Sequence, residues 1–378
     1  MLGRMPDQSD SVPVYRTIRM MAPPPPELAL ADADAWRARQ TYPEILGAQR
    51  PVFGIARERD EGGWELQEHV SAGAPQEARD DLAAVFRRLA REAVEAGDRS
   101  AGDEFAAAAE RLDWEPLNEM TVGGSRYRVV RAEQFIRFGP TGPEPPRPSD
   151  PDPAPVGDGH ELPDPVAGFV VDPYTATGMS EGILKGELLA MVWEEGSVPD
   201  RVWIDSRRAV RSHPGGVLLP AGFVMAEEIH GNWTPSAAAS SNPQAARDVL
   251  TLDLRVVAPI IQKLSGKDRV RYARAADRLD ARRGIELRFA GRYFRLVRVE
   301  RLMRIGPDGP EGPRRSDPDP QPPVKVHDQQ LRAQGFDDEE EVEEPRERTA
   351  AERDLIDLFA QEEARRQARL KRNEQKDG

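Results

Sequence analysis

Apolar positions along the chain follow two rhythms, a period of two and a helical spacing, and these set the expected elements. Pro51 to Arg59 alternates and predicts a strand. Asp60-Glu61-Gly62-Gly63 reads as a turn, and Trp64 to Val70 returns as a second strand. Pro75 suits the first position of a helix that runs to Ala93, with Leu82, Val85, Phe86, Leu89 and Val94 near helical spacing. A short helix over Gly102 to Leu112 follows. Asn118–Val122 and Arg126–Phe138 then predict two strands joined by a tight turn at Gly123-Gly124. A second series has the same order: a helix from Pro243 carrying Val249, Leu250, Leu254, Val257 and Ile261, a helix over Lys267 to Leu279, and strands at Ile285–Phe289 and Arg292–Ile305. Between the two series, Ser180 to Trp193 reads as a helix, and Arg201–Ile204 and Gly216–Leu219 as short strands.

The two series are diverged copies of one sequence. GSRYRVVRAEQFIRFGPTGPEPPRPSDPDP from Gly124 aligns without gaps on GRYFRLVRVERLMRIGPDGPEGPRRSDPDP from Gly291, at an offset of 167 and with 18 of 30 positions identical. Upstream, AAERLD ending at Asp113 faces AADRLD ending at Asp280, and PQEARDDL from Pro75 faces PQAARDVL from Pro243. A unit of more than 100 residues is domain-sized. The expected class is therefore α+β: a tandem duplication of a β-β-α-α-β-β unit with antiparallel sheets and helices on one face, plus a C-terminal helix. The division is an N-terminal segment at 1–49, repeat unit 1 at 50–156, a connecting segment with a helix at 157–219, repeat unit 2 at 220–324, an acidic disordered linker at 325–346 and a charged helix at 347–378. Two pseudo-equivalent domains and a fused pseudo-dimer both fit. The stretches before the units, 14 to 49 and 166 to 219, are candidate diverged unit starts.

On the last strand of each unit, Val130, Ala132, Ile136 and Phe138 share a face, as do Val297, Val299, Met303 and Ile305. That apolar face is expected to meet the helices. The opposite face carries Arg-x-Glu-x-x-x-Arg in both copies: Arg131, Glu133, Arg137 and Arg298, Glu300, Arg304. Three readings stay open for it. It is a salt-bridged sheet surface, a candidate anion-binding cleft in which one arginine is held by the glutamate, or, through Phe135 and Leu302, a packed contact between the units.

Each strand runs into Gly-Pro-x-Gly-Pro-Glu-x-Pro-Arg-x-Ser-Asp-Pro-Asp-Pro, which has kept its polar identities while core positions drifted. Proline makes the tract extended, either as a solvated connector or as an element that is recognised. The histidines have no metal-ligand spacing, and nucleophile-elbow and phosphate-loop patterns are absent, so no catalytic residue, metal site or cofactor is assigned.

Composition narrows the classes further. The chain lacks cysteine, which excludes disulfides and thiolate sites. A net charge of -13 with no block of basic residues disfavours nucleic acid as a partner. No apolar run suits a membrane span or a leader, so a cytoplasmic protein is expected. Seven acids between Asp337 and Glu344 form the linker. Beyond it, Thr349 and Glu352 make a capping box, and Leu355, Leu358 and Phe359 belong to a short apolar patch on an otherwise charged helix. That patch docks either on the protein's own body or on a protein partner, and the second is taken as the candidate partner contact.

RIGPDGPEGPRRSDPDPQPP with its strand, ATGMSEGILKGELL and ADAWRARQTYPEILG resemble an uncharacterised family of GC-rich actinomycete bacteria, known only as a domain of unknown function. The resemblance implies a soluble bacterial protein and assigns no activity. The expected function is a non-enzymatic binding or scaffold protein with two pseudo-equivalent domains. A small anionic ligand or an enzymatic site where the units meet is the alternative.

Overall fold

The computed structural model describes residues 26–47, 50–172, 177–335 and 349–377, and is mixed α+β. The acidic run from Asp337 to Glu344 lies outside the described residues. The elements run α1 (Pro26–Thr41), β1 (Glu44–Gly47), β2 (Val52–Glu58), β3 (Trp64–Leu66), α2 (Pro75–Glu95), α3 (Arg99–Trp114), β4 (Glu119–Val122), β5 (Ser125–Gly139), β6 (Gly142–Pro143) and β7 (Val170–Val171). They continue with α4 (Met179–Ala190), α5 (Asp200–Ser212), β8 (Gly215–Ile229), β9 (Asn232–Pro235), α6 (Pro243–Leu252), a π turn (Asp253–Val257) and α7 (Ala258–Ile261). The last are α8 (Gly266–Arg282), β10 (Glu286–Phe289), β11 (Arg292–Gly306), β12 (Gly309–Pro310), α9 (Val324–Ala333) and α10 (Ala350–Asp377).

Local chemistry explains most of these boundaries. Pro75 and Pro243 start α2 and α6, and Asp98, Asn242 and Ser265 accept backbone N–H groups at the starts of α3, α6 and α8. The β4–β5 turn has both residues left-handed, Gly123 and Gly124, whereas β10–β11 has Ala290 and Gly291. Pro259 cannot donate a backbone N–H, and the helix that is continuous as α2 is broken in the second series by the π turn just before it.

One antiparallel sheet runs through both series, in the order β7-β3-β2-β5-β11-β8-β9. Its centre is the β5–β11 pair, where Gln134 faces Arg301, the residue aligned with it at the 167 offset, and Glu133 and Phe135 face Leu302 and Glu300. β1 and β2 pair separately with β5, while their counterpart β8 is one long strand along β11 with an irregularity near Arg301.

The helices sit on the other face from the expected one. Tyr127 packs with Phe86, Leu82 and Leu112 of α2 and α3, and Val129 packs with Phe53 and Ala78. Phe294 and Leu296 do the same against α6 and α8. Val130 and Ala132 instead meet Trp64, Leu66, Val217 and Met303, and Val297 and Val299 meet Val224, Ile136 and Trp233. The sheet curls on that side and buries it against itself. Both faces of β5 and β11 are thus buried, so alternation alone could not identify the helical face. Arg201–Ile204 is a second correction, since it lies in α5, whose buried positions are Asp205, Ser206 and Ala209. Val324–Ala333, placed by sequence at the start of the linker, is α9 and packs on α3.

Candidate functional site

The proline tracts are neither solvated nor local. Each leaves its own strand through a two-residue turn and lies across the other half of the molecule. The Arg131 N–H donates to the Glu311 carbonyl at 2.9 Å, and the Arg298 N–H to the Glu144 carbonyl at 2.9 Å. Arg131 Nε meets Asp317 at 3.0 Å and Arg298 Nε meets Asp150 at 3.0 Å. Arg247 pairs with Asp152 at 2.9 Å, and Arg79 with Asp319. The helices before each unit join in: Asp34 of α1 accepts the Ser149 N–H at 2.9 Å, and Asp205 of α5 accepts the Ser316 N–H at 3.0 Å. Gly142 and Gly309, at φ 105° and 109°, let the turns lie on Trp233 and Trp64. A Cβ at Gly309 would fall 2.3 Å from Trp64 Nε1, which only glycine avoids.

The two Arg-x-Glu-x-x-x-Arg triplets are buried under these straps. Glu133 receives Arg131 at 3.2 Å, Arg314 of the opposite strap at 2.9 Å and Arg304 of the opposite strand at 3.1 Å. Burial would raise its carboxyl, but Arg314, Arg131 and Arg304 outweigh that and hold it at about 2. Glu300 sits likewise with Arg298 and with Arg147 at 2.8 Å; burial opposes its ionisation and the surrounding arginines prevail, lowering its pKa. Arg304 also donates to the carbonyls of Leu189 at 3.0 Å, Leu188 at 3.3 Å and Met191 at 3.4 Å, a cation at the end of α4. Arg137 is less well held, 3.4 Å from the Tyr42 carbonyl and 3.7 Å from Glu187, and burial lowers its pKa.

Arg304 therefore fixes the point where the chain leaves α4. From there Met191 to Pro199 closes over the first triplet and leaves a cavity of about 470 Å³. Its charged lining is formed by the buried Arg131 and the half-buried Glu133, Arg314 and Asp317. Phe135, Met191, Trp193, Val198 and Val202 supply apolar surface, and Arg201 and Ser197 are exposed at its rim. Of the six triplet residues, Arg131 and Glu133 line this cavity. Arg137, Arg298, Glu300 and Arg304 do not. The straps bring both triplets into one interface between the halves, yet they do not share one cleft. Trp193 and Arg201 carry no local motif and were missed. The usable signal was the strap itself, whose kept polar identities mark residues with specific remote partners.

The C-terminal helix α10 begins with the expected capping box, Thr349 N–H to Glu352 at 2.7 Å and Glu352 N–H to the Thr349 hydroxyl at 3.2 Å. It packs on the π turn and α7. Leu355 and Leu358 are half-buried, whereas Ile356 and Phe359 are 44% and 47% exposed. Glu362 meets Arg255 at 3.1 Å, Asp354 meets Arg269 at 3.2 Å, and Arg366 meets Asp158 at 3.0 Å. Among the described residues no cluster of three or more histidines and carboxylates could hold a metal, and no described helix is long and apolar enough to cross a membrane.

A family of unknown function, DUF5954, matches residues 26–320. No curated protein and no solved structure matches the chain. The match takes in both halves and both straps, and the chain belongs to this family.

Proposed function

We propose that this member of a family of unknown function is a ligand-binding protein whose scaffold is a single-chain pseudo-dimer. We read its halves as copies of one β-β-α-α-β-β unit. Support comes from the β5–β11 pairing of Gln134 with its own counterpart and from strap contacts that recur at matched positions. A cytoplasmic setting in a GC-rich bacterium is part of the same reading, the arginine-rich, lysine-poor composition supporting the GC-rich source alone.

The observation that carries the binding function is the cavity. At about 470 Å³ it is within the range of small-molecule sites, and it joins aromatic and aliphatic walls to a few fixed polar groups. Its buried carboxylates and arginines are each committed to structural pairs, which suits binding better than turnover. The site lies beside one half of the paired interface that the sequence marks with Arg131, Glu133, Arg137, Arg298, Glu300 and Arg304. The test is a fragment screen by NMR that follows the Trp193 indole N–H. Bound fragments are expected to move it, and Val198→Trp, which fills the cavity, is expected to abolish the response. A screen in which no fragment moves Trp193 overturns the reading.

A second reading, docking of a protein partner on α10 near Leu355, Leu358 and Phe359, is supported by the exposure of Ile356 and Phe359 beside the docked face. Replacing both by Asp is expected to leave the melting temperature unchanged and to abolish cross-linking to the partner. Unchanged cross-linking sinks it.

A further inference from the structure

We propose that the cavity takes a small monocarboxylate with an aromatic or otherwise apolar body, with Arg201 as the residue that captures the carboxylate. The inference rests on the binding function proposed above and names its ligand class.

Charge decides the head group. The charged lining consists of Arg131, Arg314 and Arg201 against Glu133 and Asp317. Four of these five are closed upon each other. Arg131 spans Asp317 at 3.0 Å and Glu133 at 3.2 Å, and Arg314 holds Glu133 at 2.9 Å and Glu311 at 2.7 Å. A ligand anion cannot recruit those arginines without stranding a desolvated carboxylate, which is strongly unfavourable. Arg201 is different. It is exposed and lines the cavity, and its guanidinium makes no ion pair or hydrogen bond among the described residues. One uncompensated guanidinium selects a single negative charge, and its planar fork matches a carboxylate with two parallel N–H donors.

The body of the ligand follows from the walls. Phe135, Met191, Val198 and Val202 present no hydrogen-bonding groups, so a polar ligand body would lose its water there without recompense. Trp193 is half-buried and lies against Gly47, where a Cβ would come within 3.2 Å of its ring, so the missing side chain seats the indole against β1. A flat ring resting on Trp193 gains the stacking that aromatic pairs prefer.

The experiment titrates the full chain with 2-naphthylacetate and with its neutral isostere 2-naphthylacetamide, following the Trp193 indole N–H and the heat of binding. The acid is expected to bind at least about tenfold more tightly than the amide, with Arg201→Gln levelling the two and Arg201→Lys retaining part of the preference. An unchanged melting temperature for these rim variants separates loss of binding from loss of fold. If acid and amide both shift Trp193 with equal affinity, the monocarboxylate class is overturned while the cavity stands as a binding site. If neither shifts Trp193, the cavity reading fails with it. Tighter binding of 2-naphthyl phosphate than of the acetate overturns the single-charge argument.

Discussion

The two halves agree where they touch each other and differ where they do not. At the straps, several contacts recur at matched positions, as with Arg131–Asp317 and Arg298–Asp150, although Arg304 reaches Glu133 while Arg137 turns to the Tyr42 carbonyl and Glu187. At the periphery, the same positions have been finished differently. Arg87 pairs with Asp113 on a helix surface and is 46% exposed, whereas its counterpart Arg255 is 3% exposed, because α10 covers it and adds Glu362 to Asp277 and Asp280. The sheet edges also differ. In the first half Leu66 exchanges backbone hydrogen bonds with Phe169 and Gly168, at 2.9 and 2.8 Å, so β3 is covered. In the second half the corresponding position of β9 is Pro235, which has no outward N–H to offer. Ion pairs buried between the halves need both partners at fixed geometry and resist drift; edges and helix surfaces have several adequate solutions.

The largest expected effect breaks the shared part. Glu133→Ala and Glu300→Ala each strand buried arginines and should each lower unfolding free energy by about 3–5 kcal/mol in urea titrations. Clearly unequal losses would show that the straps are not equivalent.

Acid probes the same network. The folded Glu133 carboxyl is depressed from 4.5 to about 2, so its stabilisation is complete above pH 4.5 and lost as pH falls through about 2. Its share of the loss is on the order of 3 kcal/mol. Comparing urea midpoints of the wild type and Glu133→Gln across that window should show a steeper acid decline in the wild type; parallel curves would refute the assignment.

The turns sharpen the comparison at smaller size. Gly309→Ala meets Trp64 Nε1 at 2.3 Å, whereas Gly142→Ala meets Trp233 and Arg295 at 3.1 Å. Thermal unfolding should rank them, with about 3 kcal/mol lost in the first case and about 2 in the second. Least of all, Pro235→Leu should change monomer stability by no more than about 0.5 kcal/mol while raising self-association in sedimentation, since it restores an edge donor.

Much of this architecture is legible in the residues. The β4–β5 and β10–β11 hairpins, the starts of α2 and α6 and the Thr349–Glu352 box are all local signals. The helical face of β5 was not, because Tyr127 and Val130 are both buried on opposite sides of one strand. α5 was misread because Val202, Trp203 and Ile204 form a β-like run, while its buried positions Asp205 and Ser206 are polar and make sense only once Ser316 arrives. Of the candidate site, the triplets were visible as a pattern, but most of their partners lie in the opposite half of the molecule. The cavity was invisible, since Met191 to Pro199 forms a wall only because Arg304 anchors its start.

Exchange of the straps constrains how the protein is made. A nascent chain that has emerged through residue 156 carries its first unit with Arg79, Arg128 and Arg131 still waiting for carboxylates and carbonyls encoded beyond residue 307. Its own strap has nowhere to lie until β11 exists. Neither half can finish on the ribosome alone, so completion is expected to be a late, concerted event, with the first unit exposed to aggregation and to chaperones in the interval.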